Sequence, residues 1–390
     1  MKIAMVTDSF YPSVGGSETA IKNLSLEFLE MGHEVRVYGL FEGVKSPDPK
    51  IDVVYVSSMV FGLNLKAIGR YINLNKKIKE YKPDIINAHF MLMSGWVGVK
   101  VAKKNNIASV VSVRGKGVFY KVDSIKKTLL YYMYRRLSIK ADKMIATSAE
   151  MSEMVKKRWG KVPIPLSNSV NIDHFRPDIK TNLKIKLRLE DKKVILCVRR
   201  LVPKNGIEYI IRAISLILEK EKNIHLLLAA PRERLYEEFK KLAQDLNIDD
   251  KISFVGEIDH VILPEYFTIA DVVVQPSIAE ARSLSCLEAM ACGKVVIATA
   301  TGGLKELIAN EKNGYLIPSF QESTYYVESP RQKNINNLAN AVLNVLNNEE
   351  LRKKIEKGAR KTAIENSRKN IGKKTLEIYN EAILINKKNG

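Results

Sequence analysis

Short apolar runs alternate along the chain with segments in which apolar residues recur every three or four positions. The first run is Ile3–Val6, and the segment after it carries Ile21, Leu24 and Phe28 on one helical face before Gly32. Continuous short apolar runs are typical of strands buried on both faces, whereas a period of 3.6 residues is typical of amphipathic helices. The alternation therefore predicts an α/β fold with parallel sheets.

The same pattern continues on both sides of a proline-containing stretch at residues 160–192. Strands are predicted before it at Glu34–Leu40, Val53–Ser57, Asp84–Ala88, Ser109–Val113 and Met144–Thr147. Strands are predicted after it at Val194–Val198, Ile224–Ala229, Ile252–Val255, Val272–Val274 and Val295–Ala298, and the remainder is expected to be largely helical. Helices are predicted at Ile207–Ile217, at Leu235–Leu246 and near Tyr266. We place the domain boundary at residues 178/179, which gives two Rossmann-like domains.

Composition excludes several classes of protein. Of the 390 residues, 46% are hydrophobic and 27% charged, which is globular composition and not that of a disordered chain. There is no apolar run near the roughly 18 residues that suggest a spanning helix, and the first residues do not resemble a signal peptide. The three cysteines do not have a paired metal-ligand spacing. We expect a reduced cytoplasmic protein without structural zinc.

The net charge of +20 is concentrated in one part of the chain. Residues 64–161 hold 22 Lys and Arg against 6 Asp and Glu, or +16, so the other residues carry 20 − 16 = +4. A lysine-rich surface often serves only solubility. An anionic partner is the alternative, and nucleic acid, a phosphorylated substrate and a membrane surface all fit.

Two loops contain candidate binding residues. Gly15–Glu18 follows the first strand, where a glycine pair lets backbone N–H groups approach a ligand and Ser17 could cap the next helix. A tight turn with a cap explains this loop equally well. The second loop, Pro276–Gly293, follows a buried strand and leads through Ser283, Leu284 and Ser285 into a helix. Its N-terminal N–H groups suit a diphosphate.

Two glutamates flank that helix start. Glu288, one or two turns into the helix, could accept hydrogen bonds from both hydroxyls of a ribose, and Glu280 could reach the group beyond the diphosphate. Solvated surface glutamates are the simpler interpretation, but the Ser/Ala/Gly-rich surroundings count against it. A glycosidase with two facing carboxylates is disfavoured, because a phosphate-binding loop separates the pair.

The order and spacing of these motifs resemble a known family. Glu280 and Glu288 have the spacing E-x7-E, followed by Thr-x-x-Gly-Gly-x-x-Glu from Thr299. Gly15–Glu18, the Asn-Ser-Val-Asn stretch at residues 168–171 and Arg200-Leu-Val-Pro-Lys-Asn-Gly also match. The chain resembles the retaining nucleotide-sugar glycosyltransferases of family 4, with the GT-B fold. The resemblance implies two Rossmann-like domains facing a cleft, with residues 1–178 on the acceptor side, 179–365 binding the donor and a C-terminal helix, 366–390, packing back on the first domain.

The resemblance also implies roles for individual residues. Arg200 and Lys204 would hold the donor diphosphate, with Gly16 close to it and N–H groups of Ser283, Leu284 and Ser285 on the phosphate. Glu280 would contact the transferred sugar and Glu288 the ribose. The implied reaction is metal-independent, needs no cofactor besides the UDP- or GDP-sugar substrate, and retains the anomeric configuration. The donor phosphate would receive the acceptor proton.

Three departures from the family pattern affect these expectations. The usual Lys of the Arg200 loop falls on Asn205 when the glycine is aligned, and Arg199 stands where a Gly is common. Arg114 occupies the place of a donor-binding His, so we assign Arg114 to an anionic sugar or acceptor group and His89 as the alternative imidazole. Packing of His89 at a strand edge is the competing interpretation. Residues 228–231 do not contain the Gly-x-Gly often found there.

The resemblance places the acceptor on the first domain, which is the basic one. Ser124–Leu137 mixes Lys and Arg with aromatic residues, as a helix on an anionic membrane does. We hypothesise peripheral membrane association on the inner face and a lipid-linked or otherwise anionic acceptor, while a helix with core-facing aromatics fits equally. Nucleic acid is disfavoured because no binding motif is present. A nucleotide-sugar epimerase or phosphorylase, and a basic binding protein without catalysis, are the alternative functions.

Overall fold

The computed structural model describes residues 1–13, 15–60, 63–64, 66–115, 125–232, 234–320 and 330–389, save for the side chains of residues 60, 63–64 and 125–129. The chain forms two compact units, one made of Met1–Ser169 with Arg368–Gly390 and the other of Val170–Ser367. Each unit has its own parallel sheet with helices packed around it. The predicted α/β class is confirmed.

The first unit contains nine strands and six helices among its described residues. Its strands are β1 (Lys2–Thr7), β2 (Glu34–Gly39), β3 (Asp52–Tyr55), β4 (Met59–Val60), β5 (Leu63–Asn64), β6 (Ile85–His89), β7 (Ala108–Val113), β8 (Lys143–Ala146) and β9 (Ile164–Pro165). Its first five helices are α1 (Gly16–Glu30), α2 (Lys66–Tyr81), α3 (Met93–Lys104), α4 (Ile125–Ser138) and α5 (Ala149–Trp159). The sixth helix is the last of the chain and is described below.

The second unit repeats this arrangement with six strands. They are β10 (Lys193–Val198), β11 (Ile224–Ala229), β12 (Ile252–Gly256), β13 (Val272–Gln275), β14 (Val296–Thr299) and β15 (Tyr315–Ile317). Its helices are α6 (Leu183–Lys186), α7 (Ile207–Lys220), α8 (Tyr236–Asp245), α9 (Leu263–Ile269), α10 (Leu284–Ala291), α11 (Leu304–Leu307), α12 (Gln332–Asn347) and α13 (Glu349–Glu365). The chain ends with α14 (Arg368–Asn389) of the first unit.

Both large sheets reverse their strand order beside their first strand. The orders are β3-β2-β1-β6-β7-β8-β9 and β12-β11-β10-β13-β14-β15, with every neighbouring pair parallel. The reversal lies between β1 and β6 in one sheet and between β10 and β13 in the other. Open α/β sheets bind ligands at such a switch point, outside the carboxyl ends of the strands. β10 and β13 therefore indicate where a site in the second unit should lie.

The predicted strands are present with ends shifted by a residue or two, and the omissions are short. β9 and β15 have two and three residues, too few for an apolar period to stand out. The β4–β5 pair is an antiparallel hairpin outside the large sheets. The described chain after β14 is largely helical, as predicted, and β15 adds an edge strand to the sheet.

The unit boundaries differ from the predicted domain boundaries at 178 and 365. The first unit ends at Ser169, because buried Val170 and Phe175 pack in a core cluster of the second unit with Leu196 and Phe267. Proline content marks the end of regular structure there, but burial decides which unit the segment joins. In α14, Ile378 and other apolar residues enter the core of the first unit, and the helix contacts α1, β7 and β8.

Candidate active site

Three loops of the second unit meet at the carboxyl ends of β10, β13 and β14. The backbone N–H of Ile278 donates to the Lys204 carbonyl over 2.8 Å, which joins the loops after β10 and β13. The hydroxyl of Thr301 donates to the Ile278 carbonyl over 3.1 Å, which joins the loop after β14 to the same point. The loops thus form one surface at the switch point of the sheet.

Two glycines let these loops approach through their backbones. Gly206 has a φ of +66°, and a Cβ there would lie 1.9 Å from the Pro276 carbonyl oxygen. Gly302 has a φ of +50°, and a Cβ there would lie 1.6 Å from the Glu280 carbonyl oxygen. A side chain at either position would be both strained and obstructed. These glycines fix the loop that carries Glu280 between its two neighbours.

Glu280 is held by a buried cation. Its Oε2 atom lies 2.6 Å from Nη2 of Arg199, and the two side chains are only 13% and 9% exposed. Burial alone would raise the pKa of the Glu280 carboxyl, but the charge and hydrogen bond of Arg199, with the charge of Lys204, bring that pKa below its ordinary value of 4.5. Glu280 is therefore an ionised carboxylate with a fixed orientation.

The second predicted glutamate, Glu288, is buried in α10. Its Oε1 atom accepts a hydrogen bond over 2.8 Å from Nε2 of His260, which lies in the loop after β12. The His260 ring packs edge-on against Phe175 at 5.1 Å between centroids, and its carbonyl lies 2.9 Å from Nε2 of His174. The solvated-surface interpretation of Glu288 is wrong, because the side chain is buried and bonded.

The start of α10 is capped by serine. Ser283 is the N-cap residue, and its hydroxyl accepts from the Cys286 N–H over 3.3 Å. The Ser283 and Ser285 hydroxyls are 3.0 Å apart, and Gln275 donates to Ser285 over 3.0 Å. The predicted helix start is confirmed. Its first turn, at Leu284 and Ser285, presents backbone N–H groups together with hydroxyls, which is an arrangement suited to an anion.

Arg200 and Lys204 lie in the loop after β10, and both are exposed. Pro203–Asn205 forms a 3-10 turn in this loop, and Asn205 donates through Nδ2 to the Arg200 carbonyl over 2.8 Å. Lys204 is near enough to Glu280 for its charge to lower the Glu280 pKa. The structure therefore brings two cations, two carboxylates and a helix start to one edge of the second unit.

In the first unit, the glycine loop differs from its predicted form. α1 begins at Gly16 with Gly15 as N-cap, so the predicted capping role of Ser17 is wrong. Glu18 lies in the first turn of α1, is buried, and accepts a hydrogen bond from the Ser9 hydroxyl. A Cβ at Gly15 would lie 2.8 Å from Glu18 Oε2, so the buried glutamate occupies the space that a side chain would need.

His89 and Arg114 are buried together in the first unit. Arg114 Nε donates to His89 Nδ1 over 3.3 Å, and Arg114 Nη1 donates to Asn168 Oδ1 over 2.9 Å. Burial, followed by the Arg114 charge, holds the pKa of His89 well below 6.5, and burial lowers the pKa of Arg114 to about 10. The imidazole is neutral with its proton on Nε2, for which no partner exists among the described residues.

Two family models match the chain. The model described as Glycosyl transferases group 1 matches residues 178–362, and the model described as Glycosyltransferase Family 4 matches residues 14–172. Together they cover most of the chain and both of its units. The chain belongs to the group 1 glycosyltransferases. This membership favours sugar transfer over the epimerase, phosphorylase and non-catalytic alternatives.

Similar proteins agree with this assignment. The glycosyltransferase is 26% identical to an alpha-monoglucosyldiacylglycerol synthase of Streptococcus pneumoniae, over 99% of this chain and 87% of the relative. It is 29% identical to an uncharacterised glycosyltransferase of Methanocaldococcus jannaschii, over 98% and 99%. The solved structure of Anabaena HepE in complex with UDP-glucose matches with a TM-score of 0.77 at 18% identity, over 97% and 99%. The structural similarity shows that this chain and HepE share a fold.

The basic helix α4 of the glycosyltransferase has a buried and an exposed side. Ser124 and the side chains of residues 125–129 lie outside the described residues. Further along, Tyr134 is buried and stacks on Trp96 at 5.5 Å, whereas Leu130, Tyr132 and Met133 are 42%, 48% and 51% exposed. The helix thus has one core-facing aromatic and several exposed apolar side chains.

His260 and Arg199 are the site residues that sequence reasoning did not assign. His260 lies in the loop after β12, for which the sequence contains no recognised motif, and Arg199 stands out in the sequence only as a departure from a common Gly. Within the described ranges, no group of three or more His, Cys, Asp or Glu side chains has a metal-binding arrangement. Within the same ranges, none of the helices is long and apolar enough to cross a membrane.

Proposed function

We propose that this glycosyltransferase moves a sugar, with retention of anomeric configuration, from a nucleoside-diphosphate sugar to an acceptor hydroxyl. The observation that carries the proposal is the placement of Glu280 and Glu288 on either side of the α10 start, one ion-paired with Arg199 and the other bonded to His260. A carboxylate, a helix N-terminus and a second carboxylate follow the order of sugar, diphosphate and ribose in such a donor. The UDP-glucose complex of HepE, a protein of the same fold, supports a donor of this class.

We assign the diphosphate to the start of α10 and to the exposed cations Arg200 and Lys204. N–H groups at Ser283, Leu284 and Ser285 would bind phosphate oxygens, and the two cations would neutralise the charge that develops on the leaving nucleotide. Because they would supply this stabilisation, the proposed reaction needs no metal ion. It uses no cofactor besides the donor itself.

Glu288 would accept hydrogen bonds from the ribose hydroxyls, and Glu280 would accept one from a hydroxyl of the transferred sugar. The acceptor hydroxyl would attack the anomeric carbon from the face that the diphosphate leaves, and its proton would pass to the departing phosphate oxygen. The bond between the anomeric carbon and that oxygen breaks, so configuration is retained without a protein base. For Gly16, Arg114 and His89 we propose the roles that the family resemblance implies: Gly16 binds near the diphosphate, and the other two bind an anionic sugar or acceptor group.

For the acceptor we propose a lipid-linked or anionic molecule at the inner face of a membrane. The exposed apolar residues of α4 have counterparts in α2, where Ile68 and Ile72 are 57% and 42% exposed, and α3 packs against both helices. The surrounding segment, residues 64–161, carries the charge of +16. Apolar side chains among Lys and Arg are what an anionic lipid surface attracts. The name of the Streptococcus pneumoniae relative includes diacylglycerol, which agrees with a lipid acceptor.

A thermal-shift screen tests the donor site. UDP, GDP, UDP-glucose and GDP-mannose are each added to the 390-residue protein, with AMP as the unrelated control. A specific ligand at 100 times its Kd should add about 2.7 kcal/mol to the free energy of unfolding. A response to one nucleotide base and its sugar supports the proposal, and no response to any of the four contradicts it. With the donor known, the anomeric coupling of the product in ¹H NMR tests retention.

A further inference from the structure

Arg199 is an unusually constrained arginine at the end of β10. One nitrogen, Nη2, lies 2.6 Å from Glu280 Oε2, 2.7 Å from Ser277 Oγ and 2.8 Å from Asn205 Oδ1. The Nε atom of Arg199 is buried, and among the described residues it has no hydrogen-bond acceptor. A buried guanidinium is costly unless it is paired, so its contacts identify what it is there to hold.

Those contacts join two of the three loops that form the site. Asn205 belongs to the loop after β10, which also carries Arg200 and Lys204, and Ser277 and Glu280 belong to the loop after β13. The pKa of Arg199 is raised despite its burial, because the Glu280 carboxylate faces it. Arg199 therefore connects the predicted phosphate-binding loop to the predicted sugar-binding carboxylate through one buried charge.

The side chains of Asn205 and Arg199 are matched, because a lysine at position 205 would be unfavourable beside Arg199. Asn205 is 5% exposed, and its Oδ1 atom is occupied by Arg199 while Nδ2 donates to the Arg200 carbonyl. A lysine at position 205 would bring a second cation against the guanidinium in a space closed to solvent, which is unfavourable. The two departures of this sequence from the family pattern, an Arg at 199 and an Asn at 205, are thus in direct contact.

We propose that Arg199 is a positioning residue for sugar transfer, that it fixes the Glu280 carboxylate toward the donor sugar, and that Asn205 stands at its position because Arg199 supplies the buried cation there. The inference rests on the proposed function, since it needs a nucleotide-sugar donor at this site. Arg199 acts through Glu280 and the loop after β13. Arg199 therefore affects the rate of turnover but takes part in no chemical step.

The test separates turnover from nucleotide binding in four variants: Arg199→Met, Arg199→Lys, Asn205→Lys and the double variant Arg199→Gly/Asn205→Lys. Turnover is followed as nucleotide release from the UDP- or GDP-sugar that stabilises the wild-type protein, and binding as the Kd of the free nucleotide. We expect Arg199→Met to lower kcat by at least ~30-fold while the nucleotide Kd changes by less than ~3-fold, because the Glu280 carboxylate that Arg199 orients is assigned to the sugar end of the donor. Arg199→Lys should recover at least ~5-fold of that loss, since it keeps the charge.

The double variant distinguishes a positioning role from a merely structural one, because only a positioning role predicts a recovery of kcat. Asn205→Lys alone should lower kcat at least ~10-fold by crowding two cations, and combining it with Arg199→Gly should raise kcat at least ~5-fold above both Asn205→Lys and Arg199→Met. Arg212→Met, which removes a partly exposed arginine paired with Glu208 in α7, is the matched control and should leave kcat within ~2-fold. If Arg199→Met does not fold, the double variant and Arg199→Lys still decide.

The outcomes distinguish this inference from the function beneath it. A wild-type protein that neither binds nor turns over any nucleotide sugar contradicts the proposed function itself. A wild-type protein that does both, together with Arg199→Met of unchanged kcat, overturns the positioning role alone. Equal losses of kcat and nucleotide affinity in every Arg199 variant, with no recovery in the double variant, also overturn it, because the residue would then only hold the site folded.

Discussion

Nε2 of His260 lies 2.8 Å from Oε1 of Glu288, and this hydrogen bond connects the loop after β12 to the buried face of α10. The Glu288 side chain is 5% exposed and the His260 side chain 33%, so the pair is accessible to solvent from the histidine side. The bond orients the carboxylate that we assign to the ribose.

That assignment predicts a loss of nucleoside affinity when the charge of Glu288 is removed. Glu288→Gln keeps the shape but replaces charge-assisted hydrogen bonds by neutral ones, so the nucleotide Kd should rise about 10-fold, or roughly 1.4 kcal/mol. Isothermal titration with the ribonucleotide and its 2′,3′-dideoxy analogue measures the effect. The dideoxy analogue is the control, because it should bind both proteins alike; an equal loss for both ligands would contradict the ribose assignment.

Replacing Glu280 should separate transfer from binding. Glu280→Gln should lower donor turnover at least ~100-fold and leave the nucleotide Kd within about 3-fold, because Glu280 is assigned to the sugar and not to the nucleotide. Glu280→Ala has a second consequence, since it leaves the Arg199 guanidinium buried without its partner at a cost of about 3–5 kcal/mol in unfolding free energy. Turnover by HPLC and chemical denaturation report the two effects. Unimpaired turnover in Glu280→Gln would end its assigned role.

The buried neutral His89 predicts a dependence of stability on pH. Its pKa in the folded protein lies well below 6.5, so below pH 6.5 the unfolded chain binds a proton that the folded chain does not. The free energy of unfolding should therefore decrease as pH falls below 6.5, by up to about 1.4 kcal/mol per pH unit from this residue. His89→Asn, whose amide oxygen can still accept from Arg114, should reduce that slope. Urea denaturation at pH 7.5, 6.5 and 5.5 compares the two proteins, and parallel curves would contradict the prediction.

The Tyr379 hydroxyl should contribute to the docking of α14. It accepts a hydrogen bond from Asn87 Nδ2 within the core of the first unit, and Asn87 Oδ1 in turn accepts from Ser112 over 3.0 Å. Tyr379→Phe leaves the buried amide donor without that acceptor, so we expect a loss of about 1–3 kcal/mol in unfolding free energy. Tyr55→Phe removes an exposed hydroxyl of the same unit and should change it by less than about 0.5 kcal/mol. Equal effects of the two substitutions would argue against a role of this bond.

The exposed apolar side chains of α4 predict binding to anionic lipid. Sedimentation with vesicles of phosphatidylglycerol and phosphatidylcholine should retain the wild-type protein at low salt, and pure phosphatidylcholine vesicles should not. Tyr132→Ser with Met133→Ser should weaken vesicle binding at least ~5-fold, because it removes apolar area that would be buried in the lipid. Ile185→Ser with Ile364→Ser, at two exposed positions of the second unit, is the matched control. Negligible binding to both vesicle types would remove the membrane hypothesis.

The sequence by itself determined the class of fold and the segment that carries the chemistry. Both depend on local periodicity and short spacing: apolar runs predict the strands, and the nine residues from Glu280 to Glu288 span one loop and one helix turn whatever surrounds them. The resemblance to family 4 follows from the same motifs. The boundaries between the units could not be predicted as well from the sequence, because Val170 and Phe175 join the second unit through burial and not through composition.

Only the tertiary structure decided how those residues are held. Arg199 meets Glu280 because β10 and β13 are neighbours in the sheet, although they are far apart along the chain. Arg114 meets His89 for the same reason, since β6 and β7 are neighbours. His260 meets Glu288 although β12 and β13 are not adjacent, because the parallel strands of the sheet all end at one edge. Likewise, the periodicity of α4 could not decide which aromatics face the core, since Tyr134 is buried where it stacks on Trp96 of α3. Contacts between residues distant in sequence depend on strand order, which no local pattern records.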